Sequence, residues 1–177
     1  MAGTDATFRG LLLATAEITR PDVTLDAEGG PRTPTYHPTG ASARVRITPA
    51  RAGSEDGLLG RMEEVTHVIY AMPADIRIGD RLVTRPVTTA LSEDVEAGET
   101  ELPVACTDGI RDGGRVRVGG DELTVMSVTA GAVVVRPGVA IACEEGEAVS
   151  VVERYEVLGV KDAAGMGHHL RLTATDV

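Results

Sequence analysis

A chain of 177 residues holds one ordinary domain or two small ones, and 42% apolar with 25% charged residues is a globular balance. Aromatic residues are only 2%, which counts against stacking platforms for single-stranded nucleic acid and against carbohydrate-binding surfaces. The net charge is −10 with no basic run to displace counterions from duplex DNA, and no apolar run approaches the ~20 residues that cross a bilayer.

The elements read mostly as β. A first strand ends in ITRPDVTLDAEGG (18–30), and the loop over Asp22–Gly40 carries Gly29 and Gly30 at its expected tip, with Pro21, Pro31, Pro34 and Pro38 on its flanks. Proline restricts backbone freedom, so this loop is expected to move as a stiff arm. Ala43, Val45 and Ile47 alternate with Arg44 and Arg46, the period of a half-buried strand. Ser54 as a cap, Glu55 and Asp56 in a first turn and Leu58, Leu59 and Met62 on one face predict a short helix. HVIYAM (67–72) follows as a β-branched strand. Ile76, Ile78 and Leu82 then alternate with charges around Gly79 and Asp80, which predicts a hairpin.

Residues 88–149 carry twelve acidic and four basic side chains, so this third of the chain holds −8 of the net charge of −10. Turn-rich sequence bounds it at both ends. Inside it, RVRVGGDELTVMSVTAGAVVVRPG (115–138) is a self-contained run of strands, with turns at Gly119-Gly120-Asp121 and Thr129-Ala130-Gly131. With 88–149 set aside, GDRLVTRPV (79–87) runs into SVVERYEVLGV (150–160) as strand, turn, strand. The reading is an inserted acidic β module, 88–149, within a discontinuous domain of 1–87 and 150–177. In YEVLGV, Tyr155 and Val157 share one face while Glu156, Leu158 and Val160 share the other. Apolar groups on both faces predict a second cover, which a neighbouring subunit would supply. The turn over Asp162–Gly167 leads to a last strand with Leu170 and Leu172. The expected fold class is therefore mostly β: a small SH3-like β-barrel core domain with one short helix, plus an inserted small β domain.

Chemistry is sparse. His168 and His169 are adjacent, so in a strand they point to opposite faces and do not share one ion. Glu93-Asp94 and Glu144-Glu145 lack the spacing of a calcium loop. No nucleophile elbow or phosphate-cradling glycine loop is present, and GVKDAAGMG lacks the lysine-serine/threonine ending of one. The expectation is no enzyme activity, no metal and no cofactor. Cys106 and Cys143 are expected to be reduced, buried small hydrophobes. The opening residues lack a basic stretch followed by an apolar one, so synthesis in the cytoplasm and no membrane association are expected.

Several segments resemble, in order, the head-closure (stopper, or head–tail joining) proteins of siphophages. They are ITRPDVTLDAEGG, ARVRITP (43–49), VTHVIYAMPADIRIGDRLV (65–83) and RYEVLGVKDAAGMGHHLRLTATDV (154–177). The insert, with ETELPVACTDGI and GGRVRVGGDELTVMSVTAG, is similar to β modules that recur in phage structural proteins. The 62-residue insert is the main departure from the plain family pattern. The resemblance implies a ring of identical subunits in the virion neck. A portal-associated adaptor protein would lie above it, and a tail terminator or tail tube protein below. Genomic DNA would pass through without sequence-specific binding. It also implies that the Asp22–Gly40 loop closes the channel, with Asp22, Asp26, Glu28, Gly29, Gly30, Arg32, Tyr36 and His37 as candidates. Tyr155, Leu158, Val160, His168 and Leu170 are the candidates for the contact between subunits. A tail terminator or other neck ring component is an alternative of the same class. A bacterial surface binding module is one of a different class, and the missing secretion signal argues against it.

Overall fold

The computed structural model describes residues 10–22, 33–50, 65–162 and 170–177. Among the described residues twelve strands follow in chain order: β1 (Ala14–Asp22), β2 (Thr35–Pro49), β3 (His67–Ala71), β4 (Arg81–Thr84), β5 (Val87–Ala90), β6 (Glu101–Pro103), β7 (Arg115–Val118), β8 (Asp121–Thr129), β9 (Ala132–Arg136), β10 (Ala148–Val151), β11 (Glu153–Asp162) and β12 (Leu170–Asp176). The chain divides into two compact units, Met1–Thr84 with Arg154–Val177, and Arg85–Glu153. The helix expected over Ser54–Met62 lies outside the described residues.

The first unit is a closed barrel in the order β1-β2-β3-β12-β11-β4. The period-two pattern builds it. Ala43 and Val45 of β2 face inward and are buried, while Arg44 and Arg46 face out. Ile18, Val45, Ile69, Leu82, Val157 and Leu172 belong to one core drawn from all six strands. Burying side chains of this size contributes roughly 1.5–3 kcal/mol each. The chain leaves the barrel on β4 and returns on β11, and these two strands are hydrogen-bonded neighbours. The backbone N–H groups of Gly79 and Val157 donate to Val157 and Asp80 carbonyls at 2.8 and 2.9 Å. The barrel therefore closes from strands on either side of residues 85–153.

The hairpin expected over Ile76–Leu82 does not form. Only Arg81–Thr84 is strand; the residues before it make a turn in which the Asp80 N–H donates to the Arg77 carbonyl at 3.0 Å. Gly79 sits at φ 88°, where a Cβ would be strained. The Asp80 carboxylate accepts the Arg77 N–H at 2.8 Å and so holds this segment in a loop. Ile78 consequently projects outward while Ile76 stays buried.

The second unit is a six-stranded sheet in the order β5-β10-β7-β8-β9-β6. It rolls up so that its two edges meet. Leu91 bridges Val104, with Ser92 N–H donating to the Pro103 carbonyl and Ala105 N–H to the Ala90 carbonyl, both at 3.0 Å. A second bridge joins Val95 to Cys143. Strands β7, β8 and β9 pair in succession, turning at Gly119-Gly120 and Ala130-Gly131. The core of this unit, including Leu102, Val116, Leu123, Val133 and Val149, takes no residue from the first. The unit is wider than 88–149 because β5 pairs with β10, from Ala90↔Ala148 to Val87↔Ser150. The two cysteines are not bonded to each other. Cys143 is buried as expected, but Cys106 is exposed because it follows β6 on the surface.

Candidate functional site

The β1–β2 hairpin reaches beyond its neighbours. β3 pairs with β2 only over Val45–Pro49, and β4 reaches along β1 only to Thr19. Arg20, Pro21 and Asp22 pair solely with His37, Tyr36 and Thr35. The result is a two-stranded ribbon past the rim of the barrel. It leaves the barrel at a register irregularity between Glu17 and Thr19. There Gly40 takes φ 76°, and the Thr39 hydroxyl donates to the Ile18 carbonyl at 2.9 Å and accepts the Ala41 N–H at 3.2 Å. Such a bulge bends and twists a strand pair.

An isolated two-stranded ribbon is marginal in water. Two side-chain clusters tie this one to the barrel, one on each of its faces. On one face the Arg20 guanidinium grips Asp80 through two bonds of 2.8 Å. It also donates to the Asp75 carboxylate at 3.2 Å and to the Asp75 carbonyl at 2.9 Å. Arg77 meets the same Asp75 carboxylate through two bonds of 2.9 Å. Asp80 is 1% exposed, and these donors satisfy its buried oxygens. The bonds to Asp80 hold the Arg20 guanidinium more firmly charged than usual. Arg77 keeps the Asp75 carboxyl below its ordinary range against the opposing effect of desolvation, and Arg20 adds a smaller lowering effect.

On the other face the Arg81 guanidinium lies over the Tyr36 ring, 3.7 Å from its centroid. The Tyr36 hydroxyl donates to Glu156 Oε2 at 3.4 Å, and Arg81 donates to the same oxygen at 3.5 Å. Burial pushes the Tyr36 phenol up, with Arg81 acting against it and Glu156 adding to it. Residues of β2, β4 and β11 thus meet at the base of the ribbon.

The structure separates the expected site residues. Tyr36 is in the second cluster, His37 is exposed opposite Arg20, and Asp22 is exposed at the end of β1. Asp26, Glu28, Gly29, Gly30 and Arg32 lie outside the described residues, as does His168. Of the apolar residues expected on an outer flank of β11, Val160 is exposed and Leu158 half-buried. Tyr155 is 6% exposed and packs inside the barrel, edge-on to His67 with ring centroids 4.9 Å apart. Leu170 pairs with Ala71 and packs against the core. A register shift lies between Val157 and Gly159. It leaves Leu158 half-buried at the irregularity and pairs Val160 with Leu172, although Val160 itself is 37% exposed. Simple alternation counted through YEVLGV misses that shift.

Sequence reasoning also missed Arg20, Asp75, Asp80, Arg81 and Glu156. Arg20 and Asp80 are 60 residues apart and Tyr36 and Glu156 are 120 apart, so no local pattern joins them. A charge pair within GDRL was the available signal. Among the described residues, no group of three or more His, Cys, Asp or Glu side chains is arranged to hold a metal ion. The arrangement is mechanical: it fixes the direction of a ribbon. No protein-family profile matches this chain, and no curated protein sequence does.

Proposed function

We propose that this chain is a head-closure subunit of a siphophage neck, with no enzymatic role. It forms a ring with identical subunits beneath the portal and its adaptor protein. It stops the packaged genome from leaking and presents a docking surface to the tail terminator or tube. The single observation that carries this reading is the β1–β2 ribbon, which runs past the rim of a closed barrel and is tied there on both faces. A ribbon tied at its base can be aimed into a channel while the barrel stays packed in a ring wall. The ordered motifs from ITRPDVTLDAEGG to GHHLRLTATDV support the same reading. The acidic composition suits a path that DNA crosses without sticking, since like charges repel the phosphates. The second unit is then an accessory module carried by the ring subunit.

The genetic test is a phage whose copy of this gene lacks residues 26–34. Full-length heads that fill and then lose DNA are expected, with the shortened protein still folded. Heads that retain DNA, or tails of abnormal length, would contradict the stopper role.

A further inference from the structure

The sequence holds no basic run, yet the barrel lines up basic residues from three strands, with a tyrosine from a fourth among them. Arg46 of β2 pairs with Tyr70 of β3, Tyr70 with Arg171 of β12, and Arg171 with Lys161 of β11. Directly opposed residues share one face of a sheet. Their inward neighbours Ile47, Ile69 and Leu172 belong to the core side, so this row faces out. Arg44 lies two residues along β2 on the same face and is also exposed. Arg46 and Lys161 are exposed and have no ion-pair partner among the described residues. Strand spacing puts Arg46 and Lys161 roughly 14 Å apart, with half-buried Tyr70 between the arginines. In a protein of net charge −10, such a row is a surface for a negative partner.

We propose that this row docks the acidic second unit of a neighbouring copy, a head-to-tail contact between subunits. The proposal rests on the ring reading given above. Residues 85–153 hold thirteen acidic and five basic side chains. Glu93, Asp94, Glu144 and Glu145 are exposed, and the chain gathers them. Asp94 Oδ1 accepts the Glu145 N–H at 2.8 Å, beside the Val95↔Cys143 bridge. None of these carboxylates has an ion-pair partner among the described residues. A contact between two different patches, repeated by rotation, closes into a ring, which two identical patches cannot do beyond a dimer. Duplex DNA is the less favoured occupant, because its phosphates would approach against the overall negative charge of the chain.

The test uses the full chain in sedimentation velocity at low salt and at ~1 M salt, where the Debye length falls to about 3 Å. Wild type is expected to assemble at low salt and dissociate at high salt. The Arg46→Glu/Lys161→Glu variant should assemble at least roughly tenfold more weakly, a loss of about 1.4 kcal/mol by the usual conversion. The milder Arg46→Gln/Lys161→Gln variant should fall between. Adding Glu144→Lys/Glu145→Lys to the reversed chain should restore assembly, since both patches then carry exchanged charge. Unchanged assembly of the reversed variant overturns this docking and leaves the ring reading standing. Loss of assembly without restoration overturns the second copy's acidic unit as the occupant. So does duplex DNA binding that wild type has and the reversed variant lacks. A wild type that stays monomeric at every salt overturns the ring reading along with this one.

Discussion

Truncating Leu102 to alanine removes a fully buried side chain from the core of the second unit. The cost has two parts: the lost transfer of the deleted carbons from water, and the cavity left where β6 packs on the sheet. For leucine at such a site the sum is about 3 kcal/mol, within the ~2.7–5 kcal/mol measured for comparable truncations. A domain of this size loses roughly 4–8 °C in melting temperature per kcal/mol, so its transition should fall by about 12–24 °C. Because the two cores share no residue, the loss belongs to Arg85–Glu153 alone. Calorimetry should show one transition moved and one retained. Amide exchange should speed up at Val116 and Val133 and hold at Ile69 and Leu172. The reciprocal variant Leu172→Ala should reverse the pattern. Equal loss of protection in both units would refute the separation of cores on which the account stands.

Three further outcomes follow from particular contacts. A Cβ added at Gly159 would lie 2.6 Å from Thr173 Oγ1, so Gly159→Ala should cost about 1–3 kcal/mol in chemical denaturation, and Gly159→Ala/Thr173→Ala should recover most of it. Native protein should present one fast thiol, Cys106, to a disulfide reagent, with Cys143 reacting only on unfolding. Burial also pushes the Cys143 thiol above its ordinary value of 9.0, with Glu147 adding to the effect. A group whose folded-state pKa is raised contributes fully below its unfolded value, and that contribution is lost as pH rises through the folded one. Second-unit stability should therefore decline above about pH 9 in wild type and decline less in Cys143→Ala. Tyr36→Ala should cost about 1 kcal/mol, mainly through the lost stacking with Arg81, and should speed amide exchange over residues 35–37. Arg20→Ala should do the same from the opposite face while leaving Ile69 protected, and unaltered exchange in both variants would remove the clamps from the account.

The alternation of Val45 with Arg44 and Arg46, and the glycine turns at Gly119 and Gly131, made the strands and the β meander legible. These are local signals, and local signals survive folding into any sheet. The charge contrast of residues 88–149 likewise marked the second unit, to within a few residues at each end. What the sequence hid is long-range. The Arg20–Asp80 and Tyr36–Arg81–Glu156 clusters join residues many strands apart. The basic row exists only because the registers of β2, β3, β12 and β11 bring Arg46, Tyr70, Arg171 and Lys161 into line. The shift at Val157–Gly159 misled the reading for the same reason. One extra residue exchanges the two faces of a strand, so the pairing of Val160 with Leu172 does not follow from alternation alone.

Electron cryomicroscopy of the assembled full chain tests the central claim most directly, through the position of the β1–β2 ribbon relative to the symmetry axis. The expected result is a closed ring with Pro21 and Tyr36 at the base of ribbons directed into the lumen and Arg46 and Lys161 away from it. Ribbons on the outer rim, or a chain that forms no ring at concentrations where the barrel is folded, would contradict it.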